Sequence, residues 1–188
     1  MGKLVAGVAK GDITPPAGLV QAGYGSRTAP ALGTHDDLHV VALYLSDGET
    51  EAALLTADLL SADVAGANRI REAAAAASGV PAGQIMVAFS HTHGAPKTLL
   101  HAMESADPLV VTYTDMVVYK LAGALAEAKR AARPVRIGYG RQACTVGMNR
   151  REMRPDGKVI LGVNREGPTR PWADVVRFDP AEGQRPLA

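Results

Sequence analysis

The alternation of apolar with small or polar residues from Leu4 to Ala9 predicts a strand. It ends in Asp12-Ile13-Thr14-Pro15-Pro16, where two consecutive prolines remove two N–H donors and bar a helix. A loop rich in glycine follows (Gly18, Gly23, Gly25, Gly33). Leu38 to Leu45 and Glu51 to Ala57 predict two strands, joined by the hairpin turn Ser46-Asp47-Gly48-Glu49. Ser61 and Asp63 open a helix that runs to about Ser78, with Gly79 as its C-cap and Pro81 beyond. The short apolar run Ile85 to Phe89 predicts a buried central strand. Thr112 and Asp115 suit the start of a second helix, which would align Val117, Leu121, Ala124, Leu125 and Ala128 on one face. Lys129, Arg130 and Arg133 favour its C-terminal end, and Pro134 stops it. Strands are predicted again at Val135 to Tyr139, Ala143 to Met148, Lys158 to Gly162 and Asp174 to Phe178. This order implies an α/β fold, a mixed β-sheet with packed helices forming a single domain over residues 1–188.

Composition narrows the class. Aromatic residues make up 4% of the 188, so the core has to be aliphatic. The formal net charge is +1, and no cluster of Lys and Arg supplies a nucleic-acid surface. The single cysteine, Cys144, excludes an intrachain disulfide and a Cys-based zinc finger. Its place in the strand-like run Arg141 to Met148 predicts a buried structural thiol. Apolar runs fall short of the ~20 residues that span a bilayer, so no transmembrane segment is expected. Met1 to Lys10 lacks the apolar core of a signal peptide, which leaves a cytoplasmic protein or an exported one whose signal has been removed.

The densest candidate chemistry is Ser90-His91-Thr92-His93-Gly94-Ala95-Pro96, directly after the strand Ile85 to Phe89. α/β proteins place ligands in loops at the carboxyl ends of strands, and neutral imidazole is the commonest zinc ligand. The pattern supports either a metal site or a pair of hydrogen-bonded loop histidines. A metallo-β-lactamase would continue with Asp-His where Ala95-Pro96 stand, and a (β/α)8 barrel is usually longer than 188 residues. Both are disfavoured.

Seven segments, in order along nearly the whole chain, together carry a more specific likeness. Gly7-Val8-Ala9-Lys10-Gly11-Asp12-Ile13-Thr14-Pro15-Pro16 resembles the opening of the neutral/alkaline, non-lysosomal ceramidases and their bacterial relatives. So do Gly23-Tyr24-Gly25-Ser26-Arg27 and Gly33-Thr34-His35-Asp36-Asp37-Leu38. Thr56-Ala57-Asp58-Leu59-Leu60 is similar to the family's strand-ending Ser-Ala-Asp-Leu, and His91-Thr92-His93 falls at its His-Thr-His. Gly147-Met148-Asn149-Arg150-Arg151 and Asn164-Arg165-Glu166-Gly167-Pro168 resemble its later Asn-Arg and Asn-Pro-Glu-Gly-Pro blocks.

The resemblance implies that the chain is the N-terminal part of a zinc-dependent amidase domain, a hydrolase of small-molecule or lipid amides such as ceramide. It makes His91 a zinc ligand, places His93 beside the reacting carbonyl, and gives Arg150 substrate binding and oxyanion stabilisation. Asn149 and His35 are implied at the substrate. The implied chemistry is attack on the carbonyl by a water that zinc activates near neutral pH. Gly94-Ala95 departs from the family's Ser-Gly, and Thr169-Arg170 stands where relatives carry an acidic residue. The family's other zinc ligands, a histidine, a glutamate and a tyrosine, are expected beyond the position of Ala188. The ligand set is therefore expected to be incomplete here, with the chain associating with its missing half or with itself. The segment Ala173 to Phe178 is expected to lack its hairpin partner. A non-catalytic domain that keeps the fold and binds a ligand or partner is the rival reading.

The remaining candidates are weaker. Asp58 reads as an acceptor for an imidazole N–H, or equally as a turn or helix-initiating aspartate. Arg27 reads as a loop cap in preference to a carboxylate binder. His39 reads as an exposed strand residue, His101 as a loop residue without a role, and Trp172 as packing.

Overall fold

The computed structural model describes residues 4–98, 107–182 and 185–188. Among these residues, eight strands and two α-helices follow one another: β1 (Val5–Asp12), β2 (His39–Ser46), β3 (Glu51–Ala57), α1 (Val64–Ser78), β4 (Ile85–Phe89), α2 (Pro108–Arg130), β5 (Arg133–Ala143), β6 (Asn149–Met153), β7 (Val159–Asn164) and β8 (Trp172–Pro180). Six strands form one sheet in the order β4-β3-β2-β1-β5-β8, and β6 and β7 form a separate hairpin. The pair β3/β4 is parallel and the other pairs are antiparallel, so the sheet is mixed. The α/β reading is correct.

Alternation within the strands decides what the sheet covers. Val40, Ala42 and Tyr44 of β2 lie in register with Ala57, Leu55 and Ala53 of β3, and all six are buried. Helix α2 packs over this face with Val117, Leu121, Ala124, Leu125 and Ala128, the positions its periodicity predicts. The sheet and both helices share one aliphatic core. Gly7 is the point of closest approach, because a Cβ there would lie 1.9 Å from the Ala128 carbonyl oxygen. Both groups belong to backbone and neither can rotate away. Gly7→Ala is therefore expected to destabilise by about 3 kcal/mol, at the upper end for overpacking. Gly11→Ala, which meets only the Val40 Cγ2 at 3.1 Å, should cost far less. Thermal melts of the two variants check this.

Local signals set α1 well. The Asp63 side chain accepts the Gly66 N–H at its N-terminus, and Gly79 closes it at φ 75°. Helix α2 begins earlier than predicted. Asp107 caps it and Pro108 occupies its first turn, so Thr112 and Asp115 lie inside the helix. With 23 residues, α2 is long and apolar enough by composition to cross a bilayer, contrary to the run-length expectation. It packs here as a core helix, with nine buried residues.

Other expectations need correction. β4 is parallel to β3 but stands at the end of the sheet, with Met86 64% exposed, so it is not central among the described residues. β5 is one strand through Ala143, while residues 144–148 are not strand and Asn149–Met153 is. Cys144 is only half-buried, and Trp172 is 48% exposed. The segment Ala173 to Phe178 lies in β8, which pairs with β5 from Val135↔Pro180 to Ala143↔Trp172 and stands at the end of the sheet, so among the described residues it is an edge strand as expected. Ala188 and Leu187 also bond the Phe178 main chain. His101 lies outside the described residues.

An ion-pair network ties β5 to β8. Asp174 accepts from Arg141 Nε at 2.6 Å and from the Tyr139 hydroxyl at 2.6 Å, and it also pairs with Arg170. Arg170 thus has an acidic partner four positions on. The Arg141, Tyr139 and Arg170 hydrogen bonds hold the Asp174 carboxyl down at about 2, against an ordinary 3.8. A lowered folded-state value contributes stability that is complete above 3.8 and lost as pH falls toward 2. Acid melts of Asp174→Asn should lack the part of the wild-type stability loss that falls in this window.

Candidate active site

The register of the sheet brings several loops to one edge. β1 ends where β2 begins (Asp12↔His39), β3 ends beside that point (Val40↔Ala57), and β4 ends beside β3 (Ala57↔Phe89). The main chain continues the pairing outward, with Ile13 N–H on the Leu38 carbonyl (2.8 Å), Asp58 N–H on the His39 carbonyl (2.9 Å) and Ser90 N–H on the Ala57 carbonyl (3.1 Å). Residues 13–16, 38–39, 58–60 and 90–93 are therefore neighbours.

His91 leaves this edge with φ 58°, in the left-handed region. Such a conformation is uncommon for a residue with a side chain and is found disproportionately at functional sites. Its Nδ1 lies 2.8 Å from the Leu60 carbonyl oxygen. A carbonyl only accepts, so Nδ1 carries the donated proton, and Nε2 is the nitrogen that the neutral imidazole offers as a ligand. An imidazole that donates through one nitrogen to a backbone carbonyl is the arrangement that fixes the other nitrogen for a metal. The His93 ring lies 5.3 Å from the His91 ring, at 70° to it. His91 fits a zinc ligand on these grounds. Among the described residues, no group of three His, Cys, Asp or Glu side chains converges to complete a site.

The segment Gly23 to Arg27 wraps the second histidine. Tyr24 meets the His93 ring edge-on at 4.9 Å, and Arg27 Nη1 donates to the His93 carbonyl at 2.6 Å. The same nitrogen reaches the Ala22 carbonyl at 3.2 Å, so Arg27 does cap a loop, and that loop is the one carrying His93. Backbone bonds secure the junction further, with Ala22 N–H on the Ala95 carbonyl (2.8 Å) and Lys97 N–H on the Val20 carbonyl (3.1 Å).

The structure separates the other candidates. Asp58 accepts the His39 backbone N–H at 3.0 Å and stands 3.9 Å from the His39 ring, while His91 Nδ1 bonds the Leu60 carbonyl. His39 is half-buried beside Asp58. His35 is almost fully exposed and bonds Asp36 at 2.6 Å. It lines an open cleft of about 460 Å³ together with Thr14 to Ala17, Thr92 and Gly94. Arg150 and Asn149 lie on β6. Arg150 Nε donates to the Gly162 carbonyl across its own hairpin, and Asn149 Nδ2 to the Pro168 carbonyl at 3.1 Å. Among the described residues, no hydrogen bond or ring contact joins either to the His91 loop.

No family model matches the chain, and no curated protein matches it in sequence. Solved structures do match in fold. The neutral ceramidase from Pseudomonas aeruginosa superposes with a TM-score of 0.73 at 20% identity, over 98% of this chain and 30% of that one. A structure of ceramidase complexed with C2 gives 0.71 at 22% identity, over 96% of this chain and 29% of the other. At these identities the likeness is one of fold. The chain thus has the fold of part of a ceramidase and spans about 30% of that enzyme's length.

Proposed function

We propose that this chain carries part of the active site of a zinc-dependent hydrolase of amide bonds, with N-acyl lipids of the ceramide type as its substrate class. The observation that carries this reading is His91, a strained loop histidine whose Nδ1 is committed to the Leu60 carbonyl and whose Nε2 is left as a ligand. The fold shared with two ceramidase structures supports the substrate class. Catalytic zinc sites typically use three protein ligands and a water, so in this reading the other ligands come from polypeptide outside the chain. Zinc, when bound, makes a water nucleophile available near neutral pH.

The chain's own residues take the remaining roles. His93, fixed by Tyr24 and Arg27, donates to the carbonyl oxygen as negative charge develops on it. The cleft beside Thr92 and Gly94 receives substrate, with His35 at its wall. Arg150 and Asn149 act from the β6–β7 hairpin on substrate and oxyanion. The exposed Ile137, Tyr139 and Val176 of β5 and β8 support association of this ribbon with further polypeptide or with a second copy.

The test is zinc content together with N-acyl amide hydrolysis by the native gene product. Protein that binds an N-acyl lipid without zinc or turnover would establish the binding-domain reading instead. Arg150 gives a sharper expectation. Arg150→Ala should lower kcat by about 10²–10³-fold, as for losing one oxyanion donor. Arg150→Lys should recover only part of this, since it keeps charge without the planar fork. Unchanged turnover per folded molecule, with a lower melting temperature, would confine Arg150 to its bond with the Gly162 carbonyl.

A further inference from the structure

We infer that Arg27 is a positioning residue for His93, setting both the main chain and the ring orientation of that histidine. The inference rests on the proposed hydrolase for what His93 does, and on geometry alone for how His93 is held.

Three consecutive contacts from one short segment converge on His93. Arg27 Nη1 donates to its carbonyl at 2.6 Å. Tyr24 lies edge-on to its ring at 4.9 Å and 76°. Gly23, at φ 100°, lies so close that an added Cβ would fall 2.4 Å from the ring Cγ. The segment has little burial to hold it in place. Tyr24 is 57% exposed, and Gly25 and Ser26 are exposed as well. Arg27, half-buried like Gly23, is the side chain that fastens it. Its Nη1 also reaches the Ala22 carbonyl at 3.2 Å and Gln21 Oε1 at 3.3 Å, and its guanidinium carbon stands 4.9 Å from the Tyr24 ring centroid.

One guanidinium thus bonds the His93 main chain through Nη1 while its carbon stands over the ring that faces the His93 side chain. Lysine offers a point charge and cannot do both in one plane. Proximity in sequence plays no part, since Arg27 and His93 are 66 positions apart.

Long-range ¹H–¹⁵N spectra of the histidine rings in the full chain test this directly, using Arg27→Ala, Arg27→Lys, Tyr24→Leu and Tyr24→Phe. The His93 ring cross-peaks should shift or split in the first three and stay in place in Tyr24→Phe. His35 signals should hold throughout as the control. Should Arg27→Ala fail to fold, Arg27→Lys and Tyr24→Leu decide. Wild-type His93 signals in both of those variants would overturn the inference. In the native gene product, Arg27→Lys should lower kcat by about 10²-fold with KM retained, the scale expected for a catalytic group displaced by about 1 Å. A wild-type protein without turnover would sink the hydrolase reading, while the ring spectra would still decide whether Arg27 positions His93.

Discussion

His91→Ala in the native gene product should lose bound zinc and amide hydrolysis together. The expectation follows from what the side chain does in the fold. Its Nδ1 proton is spent on the Leu60 carbonyl, so the imidazole presents one nitrogen and only that nitrogen. Alanine removes the ligand without disturbing a packed core, because His91 is exposed. It also removes a side chain from a left-handed backbone position at φ 58° without restoring glycine's freedom there. His91→Gly should therefore match His91→Ala in lost zinc and lost turnover while folding at least as well. Elemental analysis, turnover and thermal melts on both variants separate a ligand from a structural residue. Full zinc and full activity in His91→Ala would remove the basis of the assignment.

Gly23→Ala should cause a comparable loss of turnover by a different route. The backbone at φ 100° disfavours any residue with a Cβ. Beyond that strain, the methyl would lie 2.4 Å from His93 Cγ and 2.7 Å from its Cβ. These atoms are at the base of the side chain, so rotating the ring tip does not relieve the clash. His93 or the whole Gly23–Arg27 segment has to move, and a displacement of about 1 Å at a catalytic group can cost about 10²-fold in rate. Gly25→Ala is the matched control, since its Cβ meets nothing within 4 Å. Near-normal kcat in Gly23→Ala would show that His93 is not held where catalysis needs it.

The parts of the fold that were legible in sequence are those governed by local chemistry. The β2–β3 hairpin follows from alternation on both sides of Ser46 to Glu49, and α1 follows from the Asp63 cap and the Gly79 stop. The buried face of α2 follows from its period. What failed depended on distant partners or weak apolar signal. Ile85 to Phe89 is apolar enough for a central strand, but its rank in the sheet is set by β3 pairing with it on one side. β6 escaped notice because Asn149-Arg150-Arg151-Glu152 offers no apolar alternation, its strand character coming from the register with β7.

The candidate site divides along the same line. The His91-Thr92-His93 loop was visible from its residues and its place after a strand. Nothing local could reveal that Leu60, 31 positions away, takes the imidazole proton in place of Asp58, or that Arg27 reaches His93. The resemblance to ceramidases marked both segments without indicating that they touch. Two ceramidase structures superposing over nearly the whole chain agree with that resemblance at the level of fold.

The most direct test of the central claim is zinc-edge anomalous diffraction from crystals of the zinc-loaded native gene product. The account predicts a zinc peak about 2.0–2.1 Å from His91 Nε2, the usual zinc–imidazole distance, with Nδ1 still donating to the Leu60 carbonyl. A peak on Nδ1, a peak held without His91, or a fully loaded protein with no zinc at this loop would contradict it.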